Sequence, residues 1–100
     1  MEGNYAVIKS LPPGKTMTVG INGKEILVAN AGGAYFAIGN ICTHSGCKLS
    51  NGMLAGESLR CSCHGSTFSI RTGQVIKGPA KKPVLAYDIR YEAGEIRVMA

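Results

Sequence analysis

An all-β fold is what this sequence predicts, and three observations predict it. No stretch of about a dozen residues carries a 3.6-residue apolar period without glycine or proline interrupting it, so no ordinary helix is expected. Asn22-Gly23 separates two strand-like runs, and this pair is favoured in two-residue hairpin turns because both turn positions need positive φ. Near the C-terminus Leu85, Tyr87, Ile89 and Tyr91 alternate with Val84, Ala86, Asp88 and Arg90, the two-residue period of a half-buried strand.

The elements follow in order. A short strand is expected at 5–9, closed off by Leu11-Pro12-Pro13-Gly14. Segments 17–21 and 24–29 form the Asn22-Gly23 hairpin, Ala31-Gly32-Gly33 makes the next turn, and 34–38 continues the meander. After the Tyr87–Tyr91 alternation, Ala93-Gly94 turns the chain into a last strand in which Ile96 and Val98 alternate with Arg97 and Met99. Residues 39–80 differ, being rich in glycine and cysteine with only short apolar pairs. They read as loops and short strands inserted between the hairpins of an antiparallel base.

At 100 residues the chain makes one domain, short enough that fastening by a metal or disulfide would suit it. No apolar run approaches the ~20 residues needed to cross a bilayer. The opening Met1-Glu2-Gly3-Asn4-Tyr5-Ala6 lacks the basic-then-apolar pattern of a signal peptide, so a soluble chain is expected. Net charge is +5, but the eleven basic residues are scattered; only Lys77, Lys81 and Lys82 crowd together, without interleaved aromatics. That pattern argues against nucleic acid, and an acidic protein partner fits it better.

Cysteine placement carries the chemistry. Cys42, Cys47, Cys61 and Cys63 fall within 22 residues, and both histidines lie between Cys42 and His64. Such clustering points to a metal site more than to a disulfide framework. The pattern is Cys42-Thr43-His44, sixteen residues, then Cys61-Ser62-Cys63-His64. Each half offers one thiolate and one imidazole, ligands that suit iron–sulfur clusters and zinc alike. A zinc finger pairs its cysteines on one element and its histidines on another. Mixed arms instead suit a binuclear cluster with two cysteines on one iron and two histidines on the other. A colourless, zinc-stabilised binding module using the same four residues is the competing reading.

Residues 42–80 resemble the cluster-binding subdomain of the Rieske [2Fe–2S] family. The likeness rests on Cys42-Thr43-His44-Ser45-Gly46-Cys47, on Cys61-Ser62-Cys63-His64-Gly65-Ser66, and on Phe68, Thr72-Gly73 and Gly78-Pro79-Ala80. It implies an antiparallel base domain, a sandwich or small barrel formed by 1–38 and 83–100, carrying a cluster-binding subdomain at about 39–82. It implies one [2Fe–2S] cluster held by Cys42, His44, Cys61 and His64, with electrons leaving through the histidine-bound iron and electron uptake coupled to proton uptake at higher pH. Cys47 and Cys63 occupy the positions that the quinol-oxidising branch joins by a disulfide. Such a bridge suits an extracytoplasmic site, or the cytoplasm of a thermophile.

Ser66 matches the serine that donates to a cluster sulfide in high-potential members, and Gly78-Pro79 matches the loop covering the cluster. Phe68 stands where those members carry a hydroxyl-bearing tyrosine. One donor kept and one missing implies an intermediate potential on the roughly −150 to +300 mV Rieske scale. Ser45 replaces the bulky apolar residue that usually follows the first histidine in quinol-oxidising members. The function implied is a free-standing one-electron carrier, a ferredoxin rather than an enzyme, serving a reductase and an oxidase or oxygenase component. Its Lys48, Lys77, Lys81 and Lys82 are candidates for a docking rim. The alternative is the detached redox domain of a membrane quinol-oxidising complex of the cytochrome bc type.

Overall fold

A computed structural model describes residues 5–43, 46–63, 65–92 and 95–99. Ten strands are present among them: β1 (Tyr5–Ile8), β2 (Thr16–Ile21), β3 (Lys24–Ala31), β4 (Ala34–Gly39), β5 (Met53–Ala55), β6 (Ser58–Arg60), β7 (Thr67–Ser69), β8 (Val75–Lys77), β9 (Ala86–Glu92) and β10 (Glu95–Met99). Six of them form one sheet in the order β1-β10-β9-β4-β3-β2, and four form a second in the order β5-β6-β7-β8. Every strand pairing is antiparallel. Contact between the two edge strands β1 and β2 brings the larger sheet close to a closed barrel. The fold is therefore all-β, as the sequence predicts.

Local chemistry accounts for the hairpins. Asn22 and Gly23 both take positive φ, 52° and 77°, the backbone that a two-residue turn needs to match the twist of its strands. The β2–β3 ladder then runs unbroken from Ile21↔Lys24 to Thr16↔Ala29. β3 is two residues longer than expected, because Ala31 pairs with Ala34 and leaves Gly32-Gly33 alone as the turn. It also lacks a polar face, since Ile26 through Asn30 are all buried. Successive side chains on a strand point to opposite faces, and here each face meets a core. Ile26 and Val28 join Ile8, Leu11, Ile21, Ala37, Ile96 and Val98 inside the base. Leu27 and Ala29 join Ile38, Leu49, Leu59, Phe68, Ile70 and two cysteines on the other side. β3 and β4 are thus the wall shared by the two halves of the molecule.

Two expectations need correction. Leu85 precedes β9 and is 67% exposed, and Tyr91 is 61% exposed, although the alternation grouped both with Tyr87 and Ile89 on the buried face. β9 meets β4 only at Ala37↔Tyr87 and Ile38↔Ala86, so its far end overhangs the core. Tyr91 lies edge-on to Tyr35, at 6.2 Å between ring centroids, and its hydroxyl accepts a hydrogen bond from the Tyr35 N–H. The second correction is small: Leu49–Asn51 forms a single 3₁₀ turn. The expected Ala93-Gly94 turn lies outside the described residues.

Candidate metal centre

The insertion between β4 and β9 holds the cysteines on two arms built to one plan. In the first, the Cys42 N–H donates to the Cys47 carbonyl (2.8 Å) and the Gly46 N–H donates back to the Cys42 carbonyl (2.9 Å). In the second, the Cys61 N–H donates to the Ser66 carbonyl (2.7 Å) and the Gly65 N–H donates back to the Cys61 carbonyl (3.2 Å). Each arm is a tight loop with a cysteine at its root and a glycine four residues on. Gly46 and Gly65 sit at φ 75° and 80°, a left-handed backbone that residues with a Cβ rarely adopt. The spacing Cys-x₃-Gly was visible in both motifs, yet its role as the shared turn was not part of the sequence reading.

Burial separates the four cysteines into two pairs. Cys42 and Cys61 are 2% and 1% exposed and enter the same core cluster, among Leu27, Ile38, Leu49, Leu59 and Phe68. Cys47 and Cys63 lie nearer the surface, with their sulfurs at disulfide-bonding distance and their Cα atoms 6.5 Å apart. This pairing ties the outer end of the first arm to the middle of the second. His44, Ser45 and His64 lie outside the described residues.

Buried polar groups hold the arms against the base. Asn40 is fully buried immediately after β4; its Oδ1 accepts from the Ser50 N–H (2.8 Å) and its Nδ2 donates to Ser50 Oγ (3.2 Å). Its backbone N–H donates to Glu25 O and its carbonyl accepts from Leu49 N–H, so this one residue ties β3, the first arm and the 3₁₀ turn together. Sequence reading missed it, for an asparagine at a strand end looks like any turn residue. Ser66 is also fully buried, and its Oγ accepts from the Ala80 N–H at 3.0 Å. The Gly78-Pro79-Ala80 segment is thereby anchored to the second arm. Thr43 Oγ1 donates to the Lys82 carbonyl (2.6 Å), which anchors the following residues to the first arm. Phe68 is fully buried beneath both cysteines' core.

Outside the arms, Lys48 pairs with Glu25 at 3.3 Å. Arg71 makes a two-bond contact with Glu57 (3.2 and 2.7 Å) and lies 5.0 Å from the centre of the Phe36 ring, linking the insertion to β4. The hydrogen bonds from Arg71 hold the Glu57 carboxyl below its ordinary range. Among the described residues, no helix is long and apolar enough to cross a membrane.

The donor set suits a thiophilic group. Two cysteines stay out of the disulfide, are shielded from water and stand at the roots of matched loops, where an apolar wall excludes competing ligands. A family model described as the Rieske [2Fe-2S] domain matches residues 4–88. The chain belongs to the Rieske family.

A Rieske domain binds a [2Fe–2S] cluster, and this one is similar both to ferredoxin components and to an iron-sulfur subunit. It is 33% identical over 94 residues to the ferredoxin component of the naphthalene 1,2-dioxygenase/salicylate 5-hydroxylase systems of a Ralstonia species, covering 94% of this chain and 88% of that one. It is 37% identical over 86 residues to the cytochrome b6-f complex iron-sulfur subunit of Chlorobaculum thiosulfatiphilum, covering 86% of this chain and 46% of that subunit. Among solved structures, the ferredoxin of carbazole 1,9a-dioxygenase from Nocardioides aromaticivorans IC177 superposes with a TM-score of 0.87 at 32% identity, covering 96% of this chain and 94% of that one.

Proposed function

We propose that this Rieske domain is a ferredoxin, a one-electron carrier between a reductase and an oxygenase component, with its cluster held by Cys42, His44, Cys61 and His64. The observation that carries the reading is the pair of matched arms, each burying one cysteine while the remaining two cysteines engage each other. When bound, the cluster supplies reversible acceptance of a single electron. The protein's part is to hold and shield it. Residues 39–82 form the cluster-binding subdomain and 1–38 with 83–100 the base.

Cys47–Cys63 clamps the arms, and Phe68 closes the floor. Ser66 already accepts a hydrogen bond from Ala80 N–H, so its own proton is left to donate toward the cluster side. Gly78-Pro79 covers the same side. The ferredoxin relatives match this chain over nearly their whole length, which favours the oxygenase-system reading. The cysteine pairing and the cytochrome b6-f relative favour a second one, a redox domain of a quinol-oxidising complex.

Redox titration of the purified protein followed by EPR tests both. A reduced-state rhombic signal with average g below 2, with two irons per chain, is the expected result. A midpoint near or below about −100 mV favours the oxygenase ferredoxin and one well above 0 mV the quinol oxidant, on the roughly −150 to +300 mV scale of these centres. A colourless protein holding stoichiometric zinc would overturn the carrier in favour of a structural metal module.

A further inference from the structure

Basic residues look scattered along the sequence, but the fold sorts them. Residues 39–82 contain six basic residues (Lys48, Arg60, Arg71, Lys77, Lys81 and Lys82) against the single acid Glu57. The remainder of the chain has equal numbers of each sign, so the whole net charge of +5 belongs to the insertion. No Asp or Glu occurs between Glu57 and Asp88. Two of the six cations are neutralised, Lys48 by Glu25 and Arg71 by Glu57.

The others include two fixed to the arms. Arg60 directly precedes Cys61 and folds its guanidinium back beneath Gly65, so it travels with the second arm. Lys82 is held to the first arm through its carbonyl and Thr43. Each arm also borders a groove. One, of about 280 Å³, opens onto Cys61 itself and is lined also by Met53, Arg60, Ser62, Cys63 and Gly65. The other, of about 370 Å³, is lined by Thr43, Pro79, Lys81 and Lys82. The two cationic grooves therefore flank the buried cysteines, while exposed Met53 and Pro79 add apolar surface.

We propose that this end of the molecule docks an acidic protein face of the redox partner, with Arg60 on the second arm and Lys81–Lys82 beside the first as its anchor points. The inference rests on the carrier reading above and adds to it the partner's chemistry. A small patch of fixed cations mixed with apolar side chains suits a protein face carrying carboxylates. Exposed aromatics, on which nucleic-acid bases would stack, do not line either groove. Charges gathered beside the buried cysteines raise encounter rates with an anionic partner and orient it, an effect that salt suppresses.

The test uses holoprotein, reduced and checked by EPR, mixed in a stopped-flow instrument with one-electron acceptors of opposite charge. Reduced protein loses one electron, and ferricyanide (the anionic probe) becomes ferrocyanide; tris(phenanthroline)cobalt(III) is the cationic probe. The expected result is that Lys81→Glu/Lys82→Glu slows ferricyanide about tenfold at low salt, within the range of electrostatic steering, and not the cationic complex. Arg60→Glu should act likewise. Lys9→Glu/Lys15→Glu, the same change of net charge on the base, should leave both rates alone. A ten-residue glutamate peptide, the probe for an acidic protein face, should compete with ferricyanide, and a lysine peptide should not.

Equal slowing by the Lys9/Lys15 and Lys81/Lys82 variants would overturn the inference, since net charge alone would then explain the rates. Stronger competition by phosphatidylglycerol vesicles or single-stranded DNA than by the glutamate peptide would overturn the protein partner. Absence of the EPR signal defeats the carrier reading and this inference together, whereas a normal signal with unaltered rates defeats only the docking surface.

Discussion

The two sheets of this molecule are stabilised in opposite ways. In the base, four ladders of four to six residue pairs and the two-pair β4–β9 contact surround an aliphatic interior, and the only buried polar side chain of its strands, Asn30, is hydrogen-bonded to Leu11 and Gly33. In the insertion every strand is three residues long, and the two arms rest on a few backbone hydrogen bonds, one cysteine pairing and two buried polar residues. Strands of three residues supply few ladder hydrogen bonds, so this sheet relies on packing its apolar face against β3 and β4. The base is closed by its own ladders; the insertion leans on the core it shares with β3 and β4, on the cysteine pairing and on its buried polar groups.

Removing a proposed ligand should break that comparison most completely. Cys42→Ala or Cys61→Ala is expected to abolish visible absorption and the EPR signal while the far-UV spectrum keeps its β-sheet signature. Retention of a rhombic signal in either variant would contradict the ligand assignment. Next in size is the clamp. In Cys47→Ser/Cys63→Ser the cluster should still assemble, but denaturant melts should show a loss of about 2–4 kcal/mol, the range for cross-links closing loops of this length.

Ser66→Ala leaves the Ala80 N–H buried without its acceptor, so about 1–3 kcal/mol of stability should go. The midpoint should move to more negative values if the hydroxyl also donates to the cluster. An unchanged midpoint with reduced stability would restrict Ser66 to anchoring the Pro79 loop. Asn40→Ala strands the Ser50 N–H and should also cost about 1–3 kcal/mol; hydrogen exchange should report the loosening in residues 40–52 before the base.

The smallest effect is at the surface. Because Arg71 depresses the Glu57 carboxyl, the pair adds stability above the ordinary value of 4.5, and that contribution is lost as pH falls through the lower folded value. Wild type should therefore exceed Glu57→Gln in Tm at neutral pH, with the gap closing in acid. A gap independent of pH would mean that Arg71 acts through Phe36 alone.

Legibility in the sequence follows the same division. The base is built from alternation and turn chemistry, both local, so Asn22-Gly23 and the flanking strands could be read directly. Alternation misled where it outran the core, at Leu85 and Tyr91, because how far a strand overhangs its neighbour is decided by pairing across the sheet. In the insertion the candidate ligands could be named from rare residues at close spacing. Asn40 and the Arg71–Phe36 contact stayed hidden, for each depends on residues brought together from separate segments.

β4 and β9 are antiparallel neighbours, and the Gly39 N–H donates to the Leu85 carbonyl at the point where the chain leaves and re-enters the base. Topologically the whole cysteine-bearing insertion is an outsized hairpin loop, and without it the six base strands would be a plain, nearly closed meander. Its entrance and exit are already a hydrogen bond apart, so residues 40–84 are portable: any antiparallel hairpin with a similar neck is a candidate host, and a base closed by a two-residue turn should remain as the bare chassis.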